Sequence, residues 1–304
     1  RQGSADVLEE ITKNLPELVG GSADLSGSNN TKTNHSKILK PANFNGNYIH
    51  YGVREHGMAG IMNGMALHGG IIPYGGTFLI FLDYCKPSLR LSALLGLRVV
   101  YIFSHDSIGL GEDGPTHQPI EHLTHLRAIP NLNVFRPCDI IETIEAWEVA
   151  LETKSPTIMA LTRQSLPTLK RKSYTENLVH KGAYTIKDYK DYHASIFASG
   201  SEVEIALEAS SKLEKINVFV RVISLPCMEL FEKQDVDYKK SIIGSKTCFA
   251  VEAGVINGWE KYVQYDNFIG MSSFGASGPY KDVYKHFGIS ADNICKKIKL
   301  KLNL

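Results

Sequence analysis

The stretch Tyr48-Ile-His-Tyr-Gly-Val-Arg-Glu-His-Gly-Met58 decides how this chain is read. Residues 48–53 fit a short strand, with Ile49, Tyr51 and Val53 alternating to one side. A helix is expected next, because Met58, Ile61, Met62, Met65 and Ala66 recur at the spacing of one helical face. Glu55 falls on that apolar face, in the first turn. Removing a carboxyl from water favours its protonated form, which can donate a hydrogen bond. The helix N-terminus favours the anion instead. From spacing alone, Glu55 is either a helix cap or a carboxyl held for chemistry.

Upstream, residues 4–15 place Val7, Leu8, Ile11 and Leu15 on one side of a helix. Leu18 and Val19 lead into Gly20-Gly-Ser-Ala-Asp-Leu-Ser-Gly-Ser28. That run is either a plain turn or a loop bringing backbone amides to a ligand at a strand end. Residues 29–47 are polar and asparagine-rich, a surface excursion. Downstream, Gly69-Gly70 ends the Glu55 helix. A short strand at 71–74, a turn at Gly75-Gly76 and a helix over 77–95, kinked at Pro87, are expected. Phe78, Phe81 and Tyr84 step along that helix by threes, as core aromatics or as a wall for a flat heterocycle.

Residues 98–104 are a clear strand, leading into His105-Asp-Ser-Ile-Gly-Leu-Gly-Glu-Asp-Gly-Pro-Thr-His-Gln-Pro119. This loop carries His105, Asp113 and His117 among glycines and prolines. Ionisable residues on a stiff loop beyond a strand's carboxyl end are where α/β proteins place active sites. The same three residues could bind a metal, although their spacing is not a compact metal motif. A helix at 120–126, a strand at 133–135, a helix at 140–151 and a strand at 157–161 follow, which argues for a mostly parallel sheet. Arg163, just past the last of these strands, is either a surface arginine or a clamp for a phosphate.

Residues 167–177, with Lys170-Arg-Lys172, read as a linker. A second α/β unit begins near Ala194, with strands at 195–198, 218–224 and 247–252 and helices at 203–213 and near 281–287. Gly200-Ser201 at a helix start could take an anion. No catalytic cluster is visible in this half, so packing or subunit contact is expected of it. The fold class expected is thus α/β, two successive domains, each a mostly parallel sheet flanked by helices.

With 304 residues the chain is long enough for two cores. A net charge of +1 gives no indication of nucleic acid or an anionic membrane as partner. The apolar stretches are broken by Asn63, His68 and Asp83, so no membrane span is expected. No signal-peptide pattern opens the sequence, whose first residue is Arg1. Five widely spaced cysteines with no CxxC pair indicate neither a disulfide framework nor a zinc knuckle. A reducing, cytoplasmic location fits them.

Taken together, the motifs resemble the second half of transketolase. Gly20-Gly-Ser-Ala-Asp-Leu, the Tyr48–Glu55 stretch, Thr77-Phe-Leu-Ile-Phe, the histidine loop, Phe135-Arg-Pro-Cys-Asp139, Arg163-Gln-Ser-Leu and Val251-Glu-Ala-Gly254 run in family order across nearly the whole chain. The resemblance implies a pyrimidine-binding domain at 1–170, a linker at 171–180 and a carboxy-terminal domain at 181–304. It implies thiamine diphosphate with Mg2+ or Ca2+, sugar-phosphate substrates, and a homodimer with active sites at the subunit interface. The implied reaction moves a two-carbon ketol unit from a ketose phosphate to an aldose phosphate, as in the pentose phosphate pathway.

Residue by residue, Glu55 matches the glutamate that hydrogen-bonds the aminopyrimidine ring nitrogen and so favours the tautomer that takes up the thiazolium proton. Phe78, Phe81 and Tyr84 match the pocket for that ring, and Asp24 is placed with the cofactor. His117 matches the histidine at the sugar's reacting end, and Asp113 the aspartate that reads the adjacent hydroxyl. Arg1, Ser28, His105 and Arg163 match the phosphate-end clamp. The family's Gly-Asp-Gly motif, which holds the diphosphate and metal with a downstream asparagine, does not occur in the sequence. The expectation is therefore a chain inactive without an amino-terminal domain, and no metal ligand is assigned within it. A non-catalytic dimerisation module is the alternative from another class. Deoxyxylulose phosphate synthase and a 2-oxoacid dehydrogenase β-type subunit are the alternatives within thiamine enzymes.

Overall fold

Strands β1 (Leu18–Ser22), β2 (Tyr48–His50), β3 (Ile72–Phe78), β4 (Val100–Ser104), β5 (Asn133–Phe135) and β6 (Thr157–Leu161) form one six-stranded parallel sheet, ordered β2-β1-β3-β4-β6-β5. The computed structural model describes residues 1–171 and 174–304; Lys172, part of the expected linker, lies outside them. Helices α1 (Gln2–Asn14), α2 (Ser26–Asn29), α3 (Glu55–His68), α4 (Leu82–Leu94), α5 (His122–Arg127) and α6 (Ile140–Glu152) accompany this sheet. Parallel strands require crossovers that cover both faces. One face packs Met58, Met62, Leu82, Leu89 and Leu126. The other packs Leu8, Tyr74, Trp147 and Ala150.

Two local expectations fail in instructive ways. Residues 48–53 hold only a three-residue strand, and Val53 is exposed rather than on the buried side. Gly75-Gly76 is no turn: β3 runs straight through it to Phe78. The glycines are there because α3 and the 29–36 loop lie close against the strand. A Cβ on Gly75 would meet the Met62 sulfur at 2.4 Å, and one on Gly76 the Thr31 methyl at 2.6 Å. Phe78 therefore ends a strand, Phe81 sits on a single 3-10 turn, and only Tyr84 belongs to α4. The three aromatics do not share one helix face, as the threefold spacing suggested.

The second sheet is mixed. Its strands are β7 (Tyr184–Lys187), β8 (Ala194–Ala198), β9 (Val220–Ser224), β10 (Thr247–Val251) and β11 (Phe268–Ile269), ordered β11-β10-β8-β9-β7, with β7 antiparallel at the edge. Helices α7 (Glu202–Glu214), α8 (Met228–Glu232), α9 (Val236–Ile243), α10 (Tyr280–His286) and α11 (Ala291–Leu302) complete it. Among the described residues no helix is long and apolar enough to cross a membrane. The parallel strands of the first sheet end, at their carboxyl edge, in the Ala23-Asp24, Glu55, Phe78, His105 and Arg163 segments. That edge is where such sheets collect ligand-binding loops.

Candidate active site

Glu55 opens α3 directly after β2 and is only 7 % exposed. It caps nothing: Arg54 is the N-cap position and no side chain bonds the helix end. Among the described residues the carboxyl makes neither a hydrogen bond nor an ion pair. Its neighbours are the apolar residues under the helix and the thiol of Cys85. Burial, with the nearby Glu55 carboxyl second, raises that thiol to about 12, so it stays protonated. Glu55 lines a cavity of about 590 Å³ together with Ala23, Asp24, Val53, Phe81 and Tyr84. Asp24 is exposed at its rim, with a left-handed backbone (φ 61°). A mostly buried carboxyl with no partner among the described residues is left facing the cavity that it lines.

The aromatics form a continuous wall. Phe78 and Phe81 stack with ring centres 5.8 Å apart and planes at 6°, and Tyr84 follows Phe81 at 6.0 Å. The wall runs from the interior to the surface: Phe78 is buried, Phe81 half-buried and Tyr84 64 % exposed. At the other end Phe78 stacks on His105 at 3.7 Å. His117 sets its ring edge-on to Phe78 at 6.4 Å and to Phe81 at 5.9 Å. The histidine loop is thereby brought to the same wall as the Glu55 cavity.

His105 is buried and its backbone is left-handed (φ 59°), a conformation a histidine adopts only when its surroundings hold it there. Its protonation is also determined locally. Asn29, oriented so that Oδ1 accepts from the Thr77 N–H at 3.0 Å, donates through Nδ2 to Ser104 Oγ at 2.5 Å. The Ser104 hydroxyl is then free to donate to His105 Nδ1 at 2.8 Å. This assigns the ring proton to Nε2. Burial first, then the Arg1 and Arg163 guanidinium groups, lower the His105 pKa to about 3. His105 is thus a neutral ring with its Nε2–H available to donate.

Arg1 and Arg163 each act electrostatically on His105, and Arg163 on Arg1, so the three lie close. Arg1 Nη1 donates to the Ser28 carbonyl, which ties α2 to this group, and among the described residues the Ser28 hydroxyl makes no hydrogen bond. A second cavity of about 410 Å³ opens here, lined by Arg1, Asn30, Thr143, Arg163 and Gln164 among others. Two guanidiniums line this cavity, which suits an anionic group, and the neutral His105 ring lies near both without lining it. His117 is half-buried, and its Nδ1 is engaged by the Thr116 hydroxyl at 2.9 Å. Asp113 is exposed on the same loop. Among the described residues no three His, Cys, Asp or Glu side chains gather as a metal site, so His105, Asp113 and His117 do not form one.

The second half of the chain contributes more than packing. Gln118 donates to the carbonyls of Gly111 (3.1 Å) and Ala276 (2.9 Å), and Ser277 to that of Glu112 (2.6 Å), so the Gly275–Gly278 loop braces the histidine loop. Behind it Arg136 is fully buried and meets Asp106, Glu202 and the Ser199 carbonyl. Glu252 pairs with both terminal nitrogens of Arg127 at 2.7 Å each. Gly200-Ser201 thus holds a cation, not the anion its helix start suggested: a Cβ on Gly200 would strike the Arg136 guanidinium at 2.9 Å. Sequence reasoning quoted Arg136 and Glu252 inside motifs but assigned them no part. The one available signal was an arginine and a glutamate within otherwise apolar strand ends.

The profile described as the transketolase pyrimidine binding domain matches residues 1–168, and that of the transketolase-like carboxy-terminal domain matches residues 182–290. A transketolase of Sinorhizobium medicae is 53 % identical over 298 residues, 97 % of this chain and 43 % of that protein. One from Cereibacter sphaeroides is 50 % identical over 301 residues, 98 % of this chain and 46 % of its own length. The crystal structure of transketolase from Leishmania mexicana superposes with a TM-score of 0.95 at 43 % identity, over 98 % of this chain and 44 % of that one. The chain therefore spans less than half the length of each of these three relatives. Fold, motif order and these likenesses agree, and the chain belongs to the transketolase family.

Proposed function

We propose that this chain supplies the pyrimidine side of a thiamine diphosphate site, and most sugar-phosphate contacts, in an enzyme that transfers a two-carbon ketol unit from a ketose phosphate to an aldose phosphate. The observation that carries the reading is the buried Glu55 carboxyl, without a partner among the described residues, lining one cavity with Phe81 and Tyr84. It fits the aminopyrimidine ring: a flat heterocycle against the aromatics, its ring nitrogen facing a carboxyl that can donate. The diphosphate and its Mg2+ or Ca2+ do not fit here. The sequence has no Gly-Asp-Gly, and no metal-ligand group exists among the described residues. We place them on the part of the relatives' length that this chain does not cover.

When bound, thiamine diphosphate supplies the electron sink for cleaving the bond next to the ketose carbonyl. Glu55 holds a proton at its carboxyl oxygen toward the ring nitrogen. Phe81 and Tyr84 orient the ring and exclude water from one face. His117 has Nδ1 occupied by Thr116, which leaves Nε2 to move a proton at the sugar's reacting hydroxyl. Asp113 accepts from the neighbouring hydroxyl. Arg1, Arg163, the Ser28 hydroxyl and neutral His105 bind the phosphate end, Asp24 sits at the cofactor rim, and Phe78 keeps His105 in plane. The reading includes the domain limits given above, a cytoplasmic homodimer and a place in the pentose phosphate pathway. Glu55→Gln in the thiamine-loaded enzyme tests it. Turnover should fall at least about 100-fold, while Phe81 and Tyr84 still quench or shift the bound cofactor's absorbance. Normal turnover by Glu55→Gln would refute the assignment.

A further inference from the structure

Next to His105, five side chains, three from the carboxyl edge of the first sheet and two from helices of the second half, close into a ring. Asp106 Oδ2 accepts from Arg136 Nε at 2.8 Å, and Arg136 Nη1 pairs with Glu202 Oε2. Glu202 Oε1 accepts from the Tyr284 hydroxyl at 2.7 Å. The Ser107 hydroxyl lies 3.3 Å from both the Tyr284 oxygen and Asp106 Oδ1. All five are buried. Asp106 and Ser107 lie just past the end of β4, Arg136 directly follows β5, Glu202 starts α7 and Tyr284 lies on α10. The ring therefore ties the first sheet's carboxyl edge to two helices of the second half. Charge-assisted bonds in a dry interior are short and directional. A ring of them leaves each member little freedom.

We propose that this ring is a positioning device for His105, and that Asp106, Arg136 and Tyr284 are positioning residues for binding the phosphate end of the substrate. The proposal rests on the reading of His105 as a phosphate-end donor. His105 sits in a left-handed backbone conformation between two anchors. On one side Ser104 is fixed in β4 and bonds its Nδ1. On the other Asp106 is held by Arg136. Releasing the second anchor lets the backbone at His105 relax toward ordinary values, which turns the ring away from Phe78 and swings Nε2 off the anion. The effect is selective: His117 is engaged by Thr116 and Glu55 starts α3, neither bonded to the ring, so both should stay in place.

The test uses the thiamine-loaded enzyme containing this chain, with a ketose phosphate and the same ketose lacking its phosphate as donors. Asp106→Asn should raise KM for the phosphorylated donor about tenfold, since displacements near 1 Å cost up to about 100-fold. It should leave kcat within about twofold and leave KM for the unphosphorylated donor unchanged. Tyr284→Phe, which deletes one hydroxyl, should move KM the same way by less, and serves alone if Asp106→Asn does not fold. In both variants the 15N signals of the His105 ring should shift. An equal effect on both donors, or a lowered Tm with no KM change, would overturn the proposal. His105→Gln is the control. If it leaves the preference for the phosphorylated donor intact, the phosphate-end reading itself is wrong and the proposal goes with it.

Discussion

Replacing Glu252 with glutamine should destabilise the folded chain by about 3 kcal/mol at pH 7. Burial alone would raise this carboxyl's pKa. The paired Arg127 guanidinium outweighs it, helped by Arg136 and the Ser199 hydroxyl, and brings it down to about 2 from 4.5. That gap corresponds to about 3 kcal/mol in favour of the folded state. A second route gives the same size: breaking one partner out of a buried, hydrogen-bonded ion pair costs about 3–5 kcal/mol, because Arg127 is left buried and uncompensated. The sign with pH follows from the lowered value. The contribution is complete above pH 5 or so, because the unfolded carboxyl is then ionised too. A minor part of it, on the order of 1 kcal/mol or less, is gone by pH 4, and the rest goes as the pH falls through about 2. Urea unfolding of both proteins at pH 7 and pH 4 reads this directly. The gap between them should narrow on acidification, by on the order of 1 kcal/mol or less. Adding Arg127→Met to Glu252→Gln should recover part of the loss. A difference below about 1 kcal/mol at pH 7, or one that widens at pH 4, would refute the reasoning.

Further outcomes follow from the same geometry. His105 has a folded pKa of about 3 against an ordinary 6.5, so the unfolded chain takes the proton first. Stability should be whole above about pH 6.5 and decline toward pH 3, a slope that His105→Gln removes; an NMR titration showing the ring charging above pH 5 would contradict this. Tyr84→Ala changes an exposed side chain and should shift stability by less than about 0.5 kcal/mol. The same change should weaken thiamine diphosphate binding about tenfold by calorimetry, since the ring loses one stacking partner. Gly20→Ala would drive a Cβ to within 1.8 Å of the Tyr74 ring, which is held by its hydroxyl on the Thr31 carbonyl (3.0 Å) and by Trp147 edge-on at 6.3 Å. It should cost about 3 kcal/mol, read as a lower urea midpoint at unchanged slope.

Much of the architecture is legible from periodicity. The strands at 133–135 and 157–161 match residue for residue, and the helices after Glu55 and before Thr157 are displaced by only a residue or two. Elements with one buried face announce themselves by spacing. The edge strand Tyr184–Lys187 escaped because its burial is partial and its pairing antiparallel, and the final helix Ala291–Leu302 because its lysines mask a narrow apolar stripe. Gly75-Gly76 misled for another reason. Glycine marks either a turn or a close approach, and only the packing of Met58 and Met62 against β3 distinguishes them.

By itself the sequence determined the order of motifs, the helix that carries Glu55 on its apolar face, and the histidine loop beyond a strand. These are local: they need only neighbours within a turn or a pleat. Which of those pieces meet was decided by the tertiary structure. Parallel strands place their carboxyl ends on one edge whatever their separation in sequence, and so bring Glu55, Phe78, His105 and Arg163 together. Nor does any spacing rule join Arg136 to Glu202, or Arg127 to Glu252, across 66 and 125 residues. Those pairs exist because two sheets dock, and docking buries charges that must then find one another.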